Sequence, residues 1–444
     1  MSQPSDDAEF ANYGWQSVRV RNLRGFRDSG EIWYAPVTLL FGKNSSGKTT
    51  LLRAPLLLKQ AMYGPNSNEA MLSGPEVDFG SYKETVLNGQ VSKDVQLTAV
   101  LATGGAAHLP SLVREVNPAY LDLFNRMQID LVIHWNQRSG HSQYQSIAFS
   151  NPDTRRKVLS FDRTGPEEFE VKAGSRRLVR VPFPLSLQSL RYTEIALRDK
   201  GDDRETVAIS FLMYTLSMSL QNTTQDMIHI GPLREKPKRA YNTDQPVVAQ
   251  SGGSVVAVLR SGQGVKQIAQ ALQMLGMANS VSVRKLAPGF VAVTLQDTRS
   301  GRFDNLADVG FGVSQVLPIL ATLATASSFN TILIEQPELH LHPEAQGRLA
   351  DVMYSFAKAR RLKLVVESHS EHILLRLQRR VAERVIEPDD VAVYFVDSGR
   401  VKRAGIDRYG KLDNSAIPNG FFDDDWEDLM LMTKAAAEAV DRGD

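Results

Sequence analysis

The sequence predicts an α/β fold: a mixed, mainly parallel sheet bearing a phosphate-binding loop, with an antiparallel β lobe and a helical insertion. Three observations carry that prediction. Val37-Thr38-Leu39-Leu40-Phe41 is an unbroken apolar or β-branched run, as a buried parallel strand requires, and it opens onto a glycine-rich turn. From residue 331 to 396, strand-like and helix-like segments alternate, which means a parallel sheet with covering helices. Between residues 94 and 180, short stretches alternate with period two, as antiparallel strands do.

The glycine-rich turn is Gly42-Lys43-Asn44-Ser45-Ser46-Gly47-Lys48-Thr49-Thr50, which fits G-x-x-x-x-G-K-[ST]. Each letter has a physical reason. The glycines let the backbone wrap an anion, the loop N–H groups and the helix N-terminus point at phosphate oxygens, and Lys48 adds a point charge. Thr49 offers a hydroxyl to Mg²⁺, which prefers oxygen ligands. The helix that follows runs through Leu51, Leu52, Leu56 and Leu57 to Met62, with Pro55 expected to bend or weaken its second turn.

The totals describe an ordinary globular chain. Its 444 residues allow two or three domains, and 51 basic side chains against 50 acidic ones give no global field. No cysteine is present, which excludes disulfides, thiolate zinc sites and cysteine nucleophiles and suits the cytoplasm. The polar start at residues 2–9 lacks a signal-peptide pattern, and the longest apolar runs are too short to span a bilayer. The expectation is a cytoplasmic protein with no membrane partner.

Taken in order, residues 17–21 and 31–34 read as strands, joined through Arg24-Gly25-Phe26-Arg27. That turn is expected as a surface hairpin, with a nucleotide-covering loop as the sharper alternative. Residues 64–89 read as irregular. The antiparallel strands are placed at 95–101, 129–135, 144–149, 158–161 and 169–172, with a helix at 118–127. Helical spacing governs residues 187–220, but no heptad run persists, so no long coiled coil is expected. A strand at 227–230 leads into the basic turn 231–239, followed by a helix at 254–277 and a hairpin at 281–295. Strands at 331–335, 362–367 and 391–396 and helices at 343–360 and 371–383 complete the chain. Residues 1–100 and 226–444 then make two halves of one head, and 101–225 is the β lobe and helical insertion.

The later strands carry polar residues at their carboxyl ends, where open parallel sheets bind ligands. One ends in Glu335-Gln336-Pro337-Glu338-Leu339-His340-Leu341-His342-Pro343, the other in Glu367-Ser368-His369-Ser370. An acidic residue closing such a strand is the usual partner of Mg²⁺, and a nearby carboxylate polarises the attacking water. His340 and His342 share a strand face, but no cysteine and no third ligand accompany them, which disfavours zinc.

The P-loop, Gly310-Phe311-Gly312-Val313-Ser314-Gln315, the Glu335–Glu338 stretch with its two histidines, and Ser368-His369-Ser370 together resemble the ATP-binding-cassette (ABC) class of P-loop ATPases. Within it the chain is similar to the predicted ATPases related to the overcoming-lysogenisation-defect nucleases, RecF and SMC proteins. Gly231-Pro232-Leu233-Arg234 and the tail Asn419-Gly420-Phe421-Phe422-Asp423-Asp424-Asp425 strengthen the likeness to one bacterial subfamily. The resemblance implies an ABC-type head that binds ATP and Mg²⁺ and closes as a homodimer, or a higher even-numbered assembly, around the nucleotide. It implies that Lys48 and Thr49 hold phosphate and metal, that Glu335 is the metal-linked Walker B acid, and that His369 is the switch histidine. Gly310, Gly312 and Ser314 then form the signature that meets the partner's nucleotide, with His340 to Pro343 along the dimer seam.

Two departures follow. Gln336 stands where the general base is usually glutamate, so either Glu338 takes that role or turnover is slow. The signature serine is replaced by Gly310 or displaced to Ser314. Related ATPases serve anti-phage systems such as Septu and PARIS beside a separate nuclease or toxin, so an effector partner is expected. The alternatives are a nucleotide-gated scaffold, or a DNA-repair ATPase whose phosphate contacts would be Arg234, Lys236, Lys238, Arg239, Arg376, Arg379 and Arg380. A Toprim-like metal site built from Asp389, Asp390 and Asp397 is a weaker option.

Overall fold

The computed structural model describes residues 13–63, 69–103, 110–154, 156–166, 168–182, 187–199, 203–244 and 252–417. The tail motif at 419–425 and the polar start at 2–9 lie outside the described residues.

A six-stranded sheet organises the molecule. Its order is Met227–Ile230, Thr331–Glu335, Lys363–Glu367, Val37–Phe41, Val391–Asp397 and Arg400–Ala404. The first five strands are parallel and the last returns antiparallel. The P-loop strand thus sits between Lys363–Glu367 and Val391–Asp397, more than 300 residues downstream in the chain, as the alternation requires. Val37–Phe41, Thr331–Glu335 and Lys363–Glu367 are buried along their whole length, since both faces are covered. Leu40, Leu333 and Val365 enter one core with the P-loop helix, while Leu39, Ile334 and Val366 enter the other. Glu335 and Glu367, in register across their strands, fall two residues beyond Leu333 and Val365 and so face the P-loop helix.

The first core is roofed by a nine-stranded antiparallel sheet that contains Gly14–Leu23 as well as Val95–Ala102 and the strands up to Arg176–Val181. The expected division at residue 100 thus falls inside the strand Val95–Ala102. Helices Leu187–Arg198 and Arg204–Gln225 pack into the same core, and the longest described helix has 22 residues, so no long coiled coil occurs among the described residues. None of the described helices is long and apolar enough to cross a membrane.

Three local expectations change. The P-loop helix runs unbroken from Lys48 to Tyr63 through Pro55, because Leu51, Leu52, Leu56, Leu57 and Leu58 bury on both sides of the proline. Residues 64–89 are not wholly irregular: Tyr82–Thr85 is helical, opened by a capping box between Ser81 and Glu84. The single helix expected at 254–277 is two, Gly252–Ser261 and Val265–Met274. Gly262 and Gly264 take φ of 74° and 73° between them, and a Cβ on Gly264 would lie 2.9 Å from the Ala324 carbonyl oxygen.

Lys363, at the sheet end away from the P-loop, is buried and donates to the Tyr13 and Trp15 carbonyls. Burial pulls its pKa down to about 7. The unfolded chain keeps that proton to about pH 10.4, so stability should rise with pH across roughly 7 to 10 and be lost as pH falls towards 7. Urea unfolding of wild type and Lys363→Met at pH 7 and pH 9 checks this. The wild-type slope, up to about 1.4 kcal/mol per pH unit, should flatten in the variant.

Candidate nucleotide site

The P-loop leaves the strand Val37–Phe41 and turns into the helix Lys48–Tyr63. Its shape is held from inside by Lys48, whose Nζ donates to the Gly42 and Lys43 carbonyls at 2.8 Å each. Ser46 N–H closes onto the Lys43 carbonyl, and Ser45 takes a left-handed φ of 61°. Lys43, Asn44 and Ser45 are exposed, whereas Lys48 and Thr50 are buried. Burial lowers the Lys48 pKa, opposed by the charges of Glu367 and Glu338. The helix has no acidic residue in its first turn, so its N–H groups and dipole are open to an anion.

Two glycines fix how closely the loop lies on its surroundings. A Cβ on Gly42 would meet the Val396 carbonyl oxygen at 2.2 Å. One on Gly47, where φ is 106°, would meet the Phe26 ring at 2.6 Å. Phe26 is fully buried and Arg24 stacks over Phe79, so this turn underpins the loop and does not cover a nucleotide with Phe26. Gly47→Ala should therefore cost about 1–3 kcal/mol of strain and weaken binding of a fluorescent ATP analogue. Adding Phe26→Leu relieves the clash but not the backbone, so affinity should return only in part.

The structure separates the two acidic strand ends. Thr49 donates its hydroxyl to Glu367 Oε1 at 3.0 Å. Glu335, expected there, is instead held by Arg53 Nε and Nη2 at 2.6 and 2.8 Å and lies 2.6 Å from His229 Nε2. The reason is placement. Arg53 lies one helical turn after Thr49 and covers Glu335, and His229 on the neighbouring strand pairs with Leu333, two residues short of it. Burial opposes the Glu335 charge, but the His229 and Arg53 hydrogen bonds overcome it and hold its pKa below the usual range. Glu367 has only the Thr49 hydroxyl, and its Oε2 is buried with no hydrogen bond. Burial raises its pKa, helped by the Glu335 charge.

Glu338 lies under the tip of the Lys363–Glu367 strand. Its Oε1 accepts the His369 N–H at 2.7 Å, and its Oε2 is buried without a hydrogen bond. Burial pushes its pKa up, against the His369 N–H, the Ser368 hydroxyl and the Arg234 charge. His369 is pulled the other way, by burial and by the Lys48 charge. Gln336 adopts φ of 43°, and its N–H donates to the Glu367 carbonyl, stapling the two strand ends together. A left-handed, non-glycine residue immediately before a proline is costly, and such strain collects at functional sites.

Gly310 caps the helix Phe311–Thr325, and Gly312 meets the seam loop: a Cβ there would lie 2.7 Å from the His340 carbonyl oxygen. The Phe311 ring stands edge-on to His340 at 4.8 Å. Ser314 is turned inward, donating to the Phe311 carbonyl at 2.6 Å. His342 is the N-cap of the helix Pro343–Arg360, its Nδ1 facing the Glu344 N–H. That gives it a structural role, and among the described residues no group of three His, Cys, Asp or Glu side chains could hold a metal ion by itself.

The basic clusters are largely neutralised from within. Arg234 is buried, its Nη2 donating to the Glu335 carbonyl at 2.8 Å, and burial pulls its pKa down to about 10. Arg239 pairs with Asp308, Lys238 with Glu235, Arg376 and Arg380 with Asp351, and Arg379 with Glu383. Arg234 is thus a site residue and not a surface contact for DNA. Asp390 and Asp397 lie at opposite ends of the strand Val391–Asp397, about 20 Å apart at strand rise, too far to share one metal.

The sequence does not single out Arg53 or His229, and it does not assign Glu367 and Arg234 the partners they have here. Glu367 was legible as an acid closing an apolar strand, and Arg53 as the residue one turn after Thr49. His229 carried no signal beyond its strand, and Arg234 was hidden among neighbouring basic residues. The loop offers a buried ammonium and an uncapped helix start, and the partly unsatisfied Glu367 beside Thr49 offers hard oxygens. That donor set fits a triphosphate with a divalent cation.

A family model described as AAA ATPase domain matches residues 133–374, more than half the chain. The match takes in Gly310–Ser314, Glu335–Glu338 and His369 and begins beyond the P-loop. No curated protein matches the chain. Among solved structures it is similar to an SMC head domain from Thermotoga maritima, at 9% identity and TM-score 0.40, covering 89% of this chain and 99% of that one. An SMC head bound to the C-winged helix domain of ScpA gives 10% identity and TM-score 0.43, covering 88% and 97%. An SMC head with an extended coiled coil, bound to the C-terminal domain of ScpA derived from Pyrococcus furiosus, gives 9% and 0.41, covering 88% and 95%.

Proposed function

Because the chain belongs to the AAA ATPase domain family, we propose that it is a slow ATP-hydrolysing switch whose closure around nucleotide controls a separate effector. The observation that carries this reading is the buried Glu338 carboxylate, one oxygen on the His369 N–H and the other without a hydrogen bond, within electrostatic reach of the P-loop Lys48.

Lys48 and the loop N–H groups grip the phosphates. Thr49 and Glu367 would hold Mg²⁺, with Glu335 as the neighbouring carboxylate in register, and the ion would supply neutralisation of the charge on the phosphate oxygens. Glu338 accepts a proton from the attacking water. Its raised pKa suits that task, because a general base works best with a pKa near the operating pH. Gln336 cannot serve, since an amide does not accept that proton.

Gly310, Gly312 and the exposed Phe311 and His340 lie on a surface suited to a second subunit's nucleotide. ATP closes a cytoplasmic homodimer there, and hydrolysis reopens it. The effector, a nuclease or toxin, and a role in anti-phage defence follow from the resemblance carried by the motifs. Molar mass by light scattering tests closure: ATP with Glu338→Gln should trap a dimer that ADP does not. A monomer under both conditions overturns it. A scaffold without turnover is the second reading, favoured by Gln336, and phosphate release from the wild type decides between them.

A further inference from the structure

Arg234 is 6% exposed, yet only its Nη2 has a hydrogen-bond partner, the Glu335 main-chain oxygen. Its Nε and Nη1 are buried with none. Glu338 Oε2 likewise makes no hydrogen bond, although the Ser368 hydroxyl lies close enough to favour the ionised carboxylate. The two side chains attract one another electrostatically but share no hydrogen bond. Buried donors and acceptors left unpaired are costly; a buried ion pair is often replaced as a whole by apolar residues without loss of stability, whereas removing one partner leaves the other charge uncompensated.

The loose ends define what would satisfy them. Arg234 needs an acceptor, and ionised Glu338 needs a donor. A phosphate oxygen cannot donate to Glu338, and a cation cannot accept from Arg234. Water does both, and it has a second lone pair left over for attack.

We propose that Arg234 is a positioning residue for hydrolysis, fixing the attacking water against Glu338 by donating to its oxygen. The inference rests on Glu338 being the general base. As the water oxygen bonds to the γ-phosphorus, the bond to the departing ADP oxygen breaks. One water proton passes to Glu338, and the other stays on the phosphate released.

The test uses the full chain with Arg234→Met, Arg234→Lys, Glu338→Gln and the Arg234→Met/Glu338→Gln double variant. Arg234→Met should lower kcat at least about tenfold, with KM and the Kd for ATP within about threefold. Tm should fall in this variant, which leaves Glu338 buried without its counter-charge, and recover in the double variant, while the protein stays folded at the assay temperature. Arg234→Lys should recover part of kcat. In the Glu338→Gln background, Arg234→Met should cost nothing further, because the two act on one water. Unfolding at the assay temperature that accounts for the lost activity would make Arg234 merely structural and overturn the proposal. So would lost ATP affinity with kcat intact, which would make it a phosphate contact. If Glu338→Gln slows turnover and Arg234→Met does not, this inference alone falls; if Glu338→Gln has no effect, the base assignment falls and takes this inference with it.

Discussion

Replacing Glu338 with Gln is expected to slow phosphate release by about 10²–10⁴-fold while ATP still binds. The substitution keeps the side chain's size and its contact with the His369 N–H, and removes only the ability to take a proton. Affinity should hold, because the proposed phosphate contacts come from Lys48 and the loop and not from Glu338. Burial raises the Glu338 pKa, and the base must be ionised to act. Wild-type turnover should therefore fall on the acid side along a limb above the ordinary carboxylate range near 4.3, and the limb should vanish in the variant. Equal turnover in both proteins would remove Glu338 from the chemistry. Gln336→Glu restores the residue that the resemblance expects, and it should raise turnover only if a carboxylate there can reach the water.

Lys48→Ala should abolish turnover and weaken ATP binding by roughly 10- to 100-fold, the worth of a hydrogen bond to a charged group. The ammonium has two tasks. It ties the Gly42 and Lys43 carbonyls, so the loop is already curled around the place a phosphate would take, and it supplies the positive charge there. The loss is confined to the loop, since the strand and helix on either side are held by apolar burial. Lys48→Arg should rescue poorly, because a planar guanidinium cannot fit where a compact ammonium meets two carbonyls. Unchanged ATP affinity in Lys48→Ala, measured by titration with Mg²⁺ present, would show that this loop is not the phosphate site.

The Glu335 result marks where sequence reading stopped. An acid at the end of an apolar strand is visible in the chain, but which of two such acids meets Thr49 depends on the strand order. Lys363–Glu367 is the direct neighbour of the P-loop strand, and Thr331–Glu335 lies one strand further out. The nearer carboxylate takes the threonine. The farther one is left to Arg53 and His229, neither of which a motif would single out. Arg234 makes the same point from the other side. Within a run of basic residues it reads as solvated charge, and only folding buries it beneath Glu335.

By itself, the sequence determined most of the strands and the anion cradle: apolar runs that read as buried strands, a glycine pattern suited to a phosphate-wrapping turn, and periodicities that told the parallel sheet from the antiparallel lobe. Those are local properties, written in consecutive residues. The tertiary structure decided which charges face one another, because strands far apart in the chain become neighbours at about 4.8 Å spacing. At that range burial and pairing, not residue type, set which carboxylate is neutralised by arginine and which meets the P-loop threonine.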